Sequence, residues 1–393
     1  MSDKKSMYPW QVDELPFFYK NLPKPTNGDG FPDFLPFLID IEEKTGVVKQ
    51  VYNERISEIL QKAYIKGSSI SGLMDDYGIG EKYAKDFLEF IIKNIGTDNL
   101  NGVRILEIGC GTGYLLSLLK GLGADVVGIE PGTEGTEISN KYGISILKDF
   151  YPSKKLTEKF DLIISYGVLE HINSTSDFLQ SVNNQLNEGG KIFLAVPDCE
   201  PYIERGDISM LLHEHYNYFI KDTLYNVIYN SIQFKAYIEK SQFGGFLYGV
   251  ATNNENTQDD MYPNFGKIQS LNYGYKDKVE KNIVSFLNLF EDDYLKNKSI
   301  GIYVPGRIIN LFSIIQNKIN LKNIRFFDDN ISLYNKYFPG INIKIESFDD
   351  LKVKSPDVIF IMSNSFNNKI KEKLKKYLGK DLTILDYNDI FRI

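Results

Sequence analysis

Residues 106–116 read LEIGCGTGYLL, an apolar run interrupted by glycines at the alternate positions 109, 111 and 113. The preceding VRILEIG has the composition of a short strand, and GYLLSLLKGLG that follows reads as a helix closed by glycine. Glycines between a strand and a helix let the backbone approach a ligand where a Cβ would collide. The stretch lacks the Gly-Lys-Ser/Thr ending of a P-loop, and its alternate spacing is not the G-x-G-x-x-G of nicotinamide-binding turns.

The same alternation extends in both directions. DVVGIE (125–130) is a second strand ending in Glu130, GTEISNKYG reads as a helix, and ISILKD as a third strand followed by Asp149 and Phe150. FDLIISYG and GKIFLAVP are continuous apolar runs, the signature of buried parallel strands. Strand–helix alternation from Val103 to about Asn253 implies a doubly wound α/β sheet. From about 275 a helix, KVEKNIVSFLNLFEDDYLKN, leads to SIGIYV, NIRFFDD, PDVIFIMS and DLTIL, strands that enclose further helices in a second, smaller α/β domain. Residues 1 to about 80 are expected to be irregular, because Pro9, Pro16, Pro23, Pro25, Pro32 and Pro36 break any early helix. A helix is expected over KQVYNERISEILQKAYIKGSSISG, and another over EKYAKDFLEFIIKNIG. The expected division is an N-terminal lobe (1–80), a central α/β domain (81–255) and a C-terminal α/β domain (256–393).

Composition narrows the function classes. Apolar content of 42% and charged content of 25% suit a globular protein. The net charge of −7 offers no basic footprint for nucleic acid. No apolar run is long enough for a membrane span, and the first residues do not resemble a secretory signal. Cys110 and Cys199 are too few for a disulfide framework or a four-thiolate zinc site. A cytoplasmic protein is expected, with a monomer favoured and no membrane partner.

The glycine turn, the acidic strand end and the later strands in order resemble the class I S-adenosylmethionine-dependent methyltransferases over about residues 100–200. The resemblance implies a Rossmann-like domain with S-adenosylmethionine as cofactor. Glu107, Gly109, Gly111 and Gly113 would border its methionine part, Glu130 would accept both ribose hydroxyls, and Asp149 with Phe150 would hold the adenine.

Two of the three histidines fall in LLHEHYNYF (211–219). A carboxylate beside an imidazole can do proton work, and an H-x-H pair is equally compatible with a strand-edge metal site or with ordinary surface histidines. Together with GGFLYGV (244–250) and the tail segments FFDDN, YFPGINI and PDVIFIMSNSFNNKIKEKL, this stretch resembles the sugar-nucleotide C-methyltransferases, from about Tyr64 onward. His171 in GVLEHI lies 44 positions before His215, like that family's pair of site histidines. The resemblance implies a nucleotide-linked keto-deoxysugar as substrate, bound between the two α/β domains. His215 would be the base, Glu214 and His171 would orient the sugar or steady the developing charge, and Tyr64 would reach the site. His213 would play only a supporting part.

Three departures stand out. Leu212 occupies the place of a family tyrosine. FLPFLIDIEEKTGVVKQVYN, where the family carries a zinc knuckle, has no cysteine or histidine, so a zinc-free lobe held by apolar residues and a metal-free site are expected. YVPGRIINL offers Gly306 and Arg307, a diphosphate partner or an exposed charge. Transfer to oxygen or nitrogen, and a binding protein that has lost turnover, are the competing readings.

Overall fold

Side-chain alternation sorts the first sheet into two faces. Leu106, Ile108, Ile163, Ile192, Leu194 and Val196 pack into one buried cluster. Their neighbours Ile105, Leu162, Ile164, Phe193 and Ala195 pack into another on the opposite face. Strands buried on both faces need continuous apolar runs, and FDLIISY and KIFLAVP supply them. The computed structural model describes residues 10–18, 22–28, 30–65, 74, 76, 78–132, 141–253, 264–291, 295–363, 367–379, 382–386 and 389.

By its contacts the chain forms two compact units. Among the described residues the first comprises 39–201 and 214–273, and the second 10–38, 202–213 and 274 onward. The sheet of the first unit contains β1 (Arg104–Ile108), β2 (Asp125–Ile129), β3 (Ser145–Leu147), β4 (Phe160–Tyr166), β5 (Leu186–Pro197), β6 (Lys235–Lys240) and β7 (Phe246–Thr252). Their order is β6-β7-β5-β4-β1-β2-β3. β1 to β5 pair in parallel, whereas β7 lies antiparallel between β5 and β6. Strand order reverses between β1 and β4, and open α/β sheets bind ligands in the crevice at the carboxyl ends of such strands.

Helix α1 (Gly78–Ile95) shows why the flanking helices form. Ala84, Phe87, Phe90 and Ile91 recur at helical spacing and are all buried. Glu81 sits in the first turn and Lys93 in the last, each favourable to the helix dipole. Gly96, at φ +86°, ends it as the sequence predicts. Burying each of the large side chains contributes about 1.5–3 kcal/mol. Helices α2 (Tyr114–Gly121), α3 (Thr175–Asn184) and α4 (Lys221–Ile232) complete the elements that flank the site.

The N-terminal region departs from the expected irregular chain. Trp10–Pro16, Phe34–Ile41 and Val48–Gln50 are strands. Ile39, Asp40 and Ile41 pair antiparallel with Gln50, Lys49 and Val48. Pro16 ends its strand, and Pro36 precedes the residues of its strand that pair with Val48–Gln50. Strand pairing also shortens the first expected helix, which spans Glu54–Ile65. Most of the helix expected over 135–143 falls outside the described residues.

The second unit has an all-parallel sheet of β8 (Ile300–Tyr303), β9 (Ile324–Phe327), β10 (Ile345–Glu346), β11 (Val358–Ile361) and β12 (Thr383–Asp386), ordered β10-β9-β8-β11-β12. Tyr303, Phe327, Ile359, Ile361, Ile370 and Leu374 form part of its core. No helix of the described residues is long and apolar enough to cross a membrane.

Candidate functional site

The turn after β1 uses its glycines as the sequence predicts. Gly109, Gly111 and Gly113 have φ of +70°, +47° and +67°, a region that only glycine enters without strain. A Cβ on Gly109 would strike Val168, whereas one on Gly111 would meet nothing within 4 Å. The turn is thus packed on one side and open on the other. Gly113 caps α2, and Gly109 N–H donates to the Ile129 carbonyl at 2.8 Å, joining the ends of β1 and β2.

Glu130 follows β2 and accepts from Gly111 N–H at 3.1 Å and from Gly132 N–H at 2.8 Å. Glu107 is fully buried, and neither of its carboxylate oxygens has a hydrogen-bond partner. Burial, reinforced by Glu130, raises the Glu107 carboxyl well above its ordinary range. Two carboxylates, an open glycine cradle and an orphaned buried acceptor pair fit a ligand that brings hydroxyl and ammonium donors, as S-adenosylmethionine does. Cys110 is buried, and burial raises its thiol, so it fills space rather than reacts. Asp149 accepts from Phe150 N–H at 2.9 Å and from the Ser153 hydroxyl at 2.8 Å, and the Ser153 bond is the first cause of its lowered pKa. The Phe150 ring is half exposed.

A second cluster forms at the ends of β4 and β5. After β4 the chain turns at Gly167 (φ +65°) into a 3-10 turn, Leu169–His171. The later segment docks directly on it: Tyr216 N–H donates to the Glu170 carbonyl at 2.7 Å. His171 Nδ1 lies 2.9 Å from the Glu214 carbonyl, a bond in which the ring must donate. Asn217 Nδ2 donates to the Leu169 and Ile172 carbonyls at 3.3 and 2.7 Å. The strand Asn217–Tyr218 pairs in turn with Val48 and Lys49. The segments carrying His171 and His215 therefore meet, with ring centroids 4.8 Å apart and planes at 76°.

The acids of this cluster are buried. Glu170 Oε1 stands 4.0 Å from His171 Nε2, and Glu214 Oε1 stands 4.0 Å from His215 Nε2. Burial pushes both carboxyls up to about 8, with Glu214 adding to the effect on Glu170. Burial pushes His171 down to about 4, against the pull of its bond to the Glu214 carbonyl. His215 is driven well below its ordinary value by burial and then by His171. Near neutral pH both imidazoles are therefore uncharged. Val168, which packs on Gly109, belongs to the loop that enters the His171 turn, so the glycine turn and the imidazole pair adjoin.

Glu170 is a site residue that sequence reasoning misses. Its chain position beside His171 is visible, but its burial and its approach to His171 Nε2 come from the 3-10 turn. His213 lies apart from the cluster: its Nε2 meets the Leu35 carbonyl at 3.3 Å, and Phe17 and Phe37 present ring edges to it. In GGFLYGV, Gly244 and Gly245 turn the chain between β6 and β7, and Tyr248 donates to the Asp86 carboxylate at 3.0 Å. Tyr64 and Arg307 lie in segments of described backbone, but their side chains fall outside the described residues.

Comparison with known proteins places this geometry in a family context. Residues 79–231 match the family model described as a methyltransferase domain. A ubiquinone biosynthesis O-methyltransferase of Glaesserella parasuis serovar 5 is 33% identical over 114 residues, 26% of this chain and 48% of that protein. One from Pelagibacter ubique is 28% identical over 149 residues, 36% of this chain and 62% of that protein. The chain thus spans less than two thirds of the length of either relative. A solved S-adenosylmethionine dependent methyltransferase from Mesorhizobium loti aligns with 16% identity and a TM-score of 0.34, over 42% of this chain and 96% of that one. Over residues 79–231 the chain is thus similar to a methyltransferase domain.

Proposed function

We propose that the protein is a C-methyltransferase acting on a carbon beside a ketone in a nucleotide-linked deoxysugar. The observation that carries this reading is the pair of partly buried imidazoles, His171 and His215, flanked by two buried carboxyl groups and adjoining the glycine turn. Carbon deprotonation needs a base shielded from water and a neighbour that steadies the charge it acquires.

In this mechanism the His215 imidazole takes the proton from the carbon. The Glu214 carboxyl, 4.0 Å from His215 Nε2, steadies the imidazolium that results. His171, held by its Nδ1–H bond to the Glu214 carbonyl, orients the sugar by accepting a hydrogen bond from one of its hydroxyls. Bound S-adenosylmethionine supplies the electrophilic methyl group. Glu130 and the turn at Gly109–Gly113 hold it, Asp149 and Phe150 accept the adenine, and Tyr64 completes the substrate side. Methyl transfer to the carbon would leave the cofactor as the neutral thioether, and the proton would remain on His215.

The curated relatives are named as O-methyltransferases, which favours a second reading in which the same base removes a hydroxyl proton. The discriminating experiment incubates the protein and S-adenosylmethionine with a panel of nucleotide-linked keto sugars and catechols, then locates the new methyl by NMR. A methyl on carbon is the expected result. A methyl found only on oxygen would establish the second reading in place of the first, and S-adenosylmethionine that fails to bind in calorimetry overturns both.

A further inference from the structure

The imidazole pair has a property that proton transfer does not require. Glu170, His171 and His215 each present one ligand atom, and these three atoms lie within 4.8 Å of one another. Two imidazoles and one carboxylate are the donor set that first-row divalent transition ions favour. His171 also has the kind of outer partner that ligating imidazoles have, its Nδ1–H bond to the Glu214 carbonyl. Two further observations point to a cation. Glu170 Oε2 and Glu214 Oε1 are buried without a hydrogen-bond partner, and both residues are at least nine-tenths buried. None of the ion pairs among the described residues joins either carboxylate to a lysine or arginine. Buried carboxylates of this kind need a proton or a cation to offset their charge.

We propose that Glu170, His171 and His215 form a binding site for one zinc-like divalent ion, with the Glu214 carboxylate beside it. This goes beyond the function proposed above and departs from the metal-free site expected from the sequence. Around a tetrahedral zinc with bonds of about 2.0–2.1 Å, ligand atoms lie about 3.4 Å apart, so the three side chains close in by small χ rotations. An ion held here takes the lone pair that proton removal uses, and ion and base therefore compete. That competition rests on the proposed role of His215, whereas binding of the ion does not.

The test uses full-length protein prepared without an affinity tag, so that only three histidines are present. Titration with Co²⁺ is expected to give ligand-field bands of a four- or five-coordinate site, at one ion per chain, and Zn²⁺ is expected to displace them. Glu170→Gln and His171→Ala are expected to weaken Co²⁺ binding by about tenfold or more, with S-adenosylmethionine binding retained as the check on folding. X-ray absorption of the wild-type zinc complex requires no variant and is expected to show two imidazole nitrogens. His213 is engaged with Leu35 among aromatic rings, which leaves His171 and His215 to provide that pair. Absence of Co²⁺ bands in the wild type, affinity unchanged in the variants, or one imidazole or none at the zinc would each overturn the proposal. The competition is read separately: turnover that persists with zinc bound counts against His215 as the base, as does near wild-type turnover of His215→Ala in metal-free protein.

Discussion

Glu130 ties the glycine turn to its own loop by accepting from Gly111 N–H and Gly132 N–H. Glu130→Ala releases both backbone donors and, on the proposed role, removes an acceptor for two ribose hydroxyls. The expected cost is about 1.5–3 kcal/mol, or roughly ten- to hundredfold in S-adenosylmethionine affinity; calorimetry checks it, and unchanged affinity would contradict the assignment. His215→Ala is expected to lower turnover by about 10²–10⁴-fold, the scale of a general base. Cofactor affinity should stay near that of the wild type, because the loss concerns proton transfer alone. His213→Ala provides the contrast. Its ring lies between Phe17 and Phe37, so its loss should lower the unfolding temperature more than the rate. The glycine spacing and Glu130 are legible directly in the sequence, because a turn that needs positive φ leaves a compositional mark. Burial of Glu170 leaves no such mark, since a charged residue beside a histidine looks the same whether it faces water or the interior.

A two-residue strand has a disproportionate effect here. Asn217–Tyr218 pairs with Val48 and Lys49 on one side, and Asn217 reaches back to the 3-10 turn on the other. Asn217→Ala leaves the Leu169 and Ile172 carbonyls without that donor, at an expected cost of about 1–3 kcal/mol in stability. The turn that carries His171 loosens with it, so turnover should fall while S-adenosylmethionine affinity holds. A variant equally impaired in both would show that Asn217 supports the whole domain rather than the imidazole pair. The principal strands are evident from their apolar runs, since burial on both faces imposes a pattern that few other structures share. The N-terminal strands are obscured by Pro16 and Pro36, residues that argue against a strand when read from sequence alone. The short partner strand Val48–Gln50 reads, from sequence, as the approach to the helix that follows it. Local propensity is overruled there by pairing with residues far away in the chain.

The net charge of −7 argues against a polyanion as partner. The protein is expected to show no salt-dependent binding to tRNA or heparin at physiological ionic strength, and retention in a filter-binding assay would contradict this. Alternation of strands and helices makes both α/β sheets readable from sequence, including the strand-end positions where ligands bind. Which distant segments meet at those ends is not readable, because it depends on how the intervening chain is packed. The docking of Tyr216 on Glu170, and of Asn217 and Tyr218 on Val48 and Lys49, has a consequence for biogenesis. A ribosome releasing the chain from its N-terminus delivers β1 to β5 before these residues emerge, and contacts so distant in sequence are costly to close early. The glycine turn can therefore assemble on the nascent chain while the imidazole pair is still apart, and the proposed proton chemistry would begin only once residues 214–218 have docked on the Leu169–His171 turn.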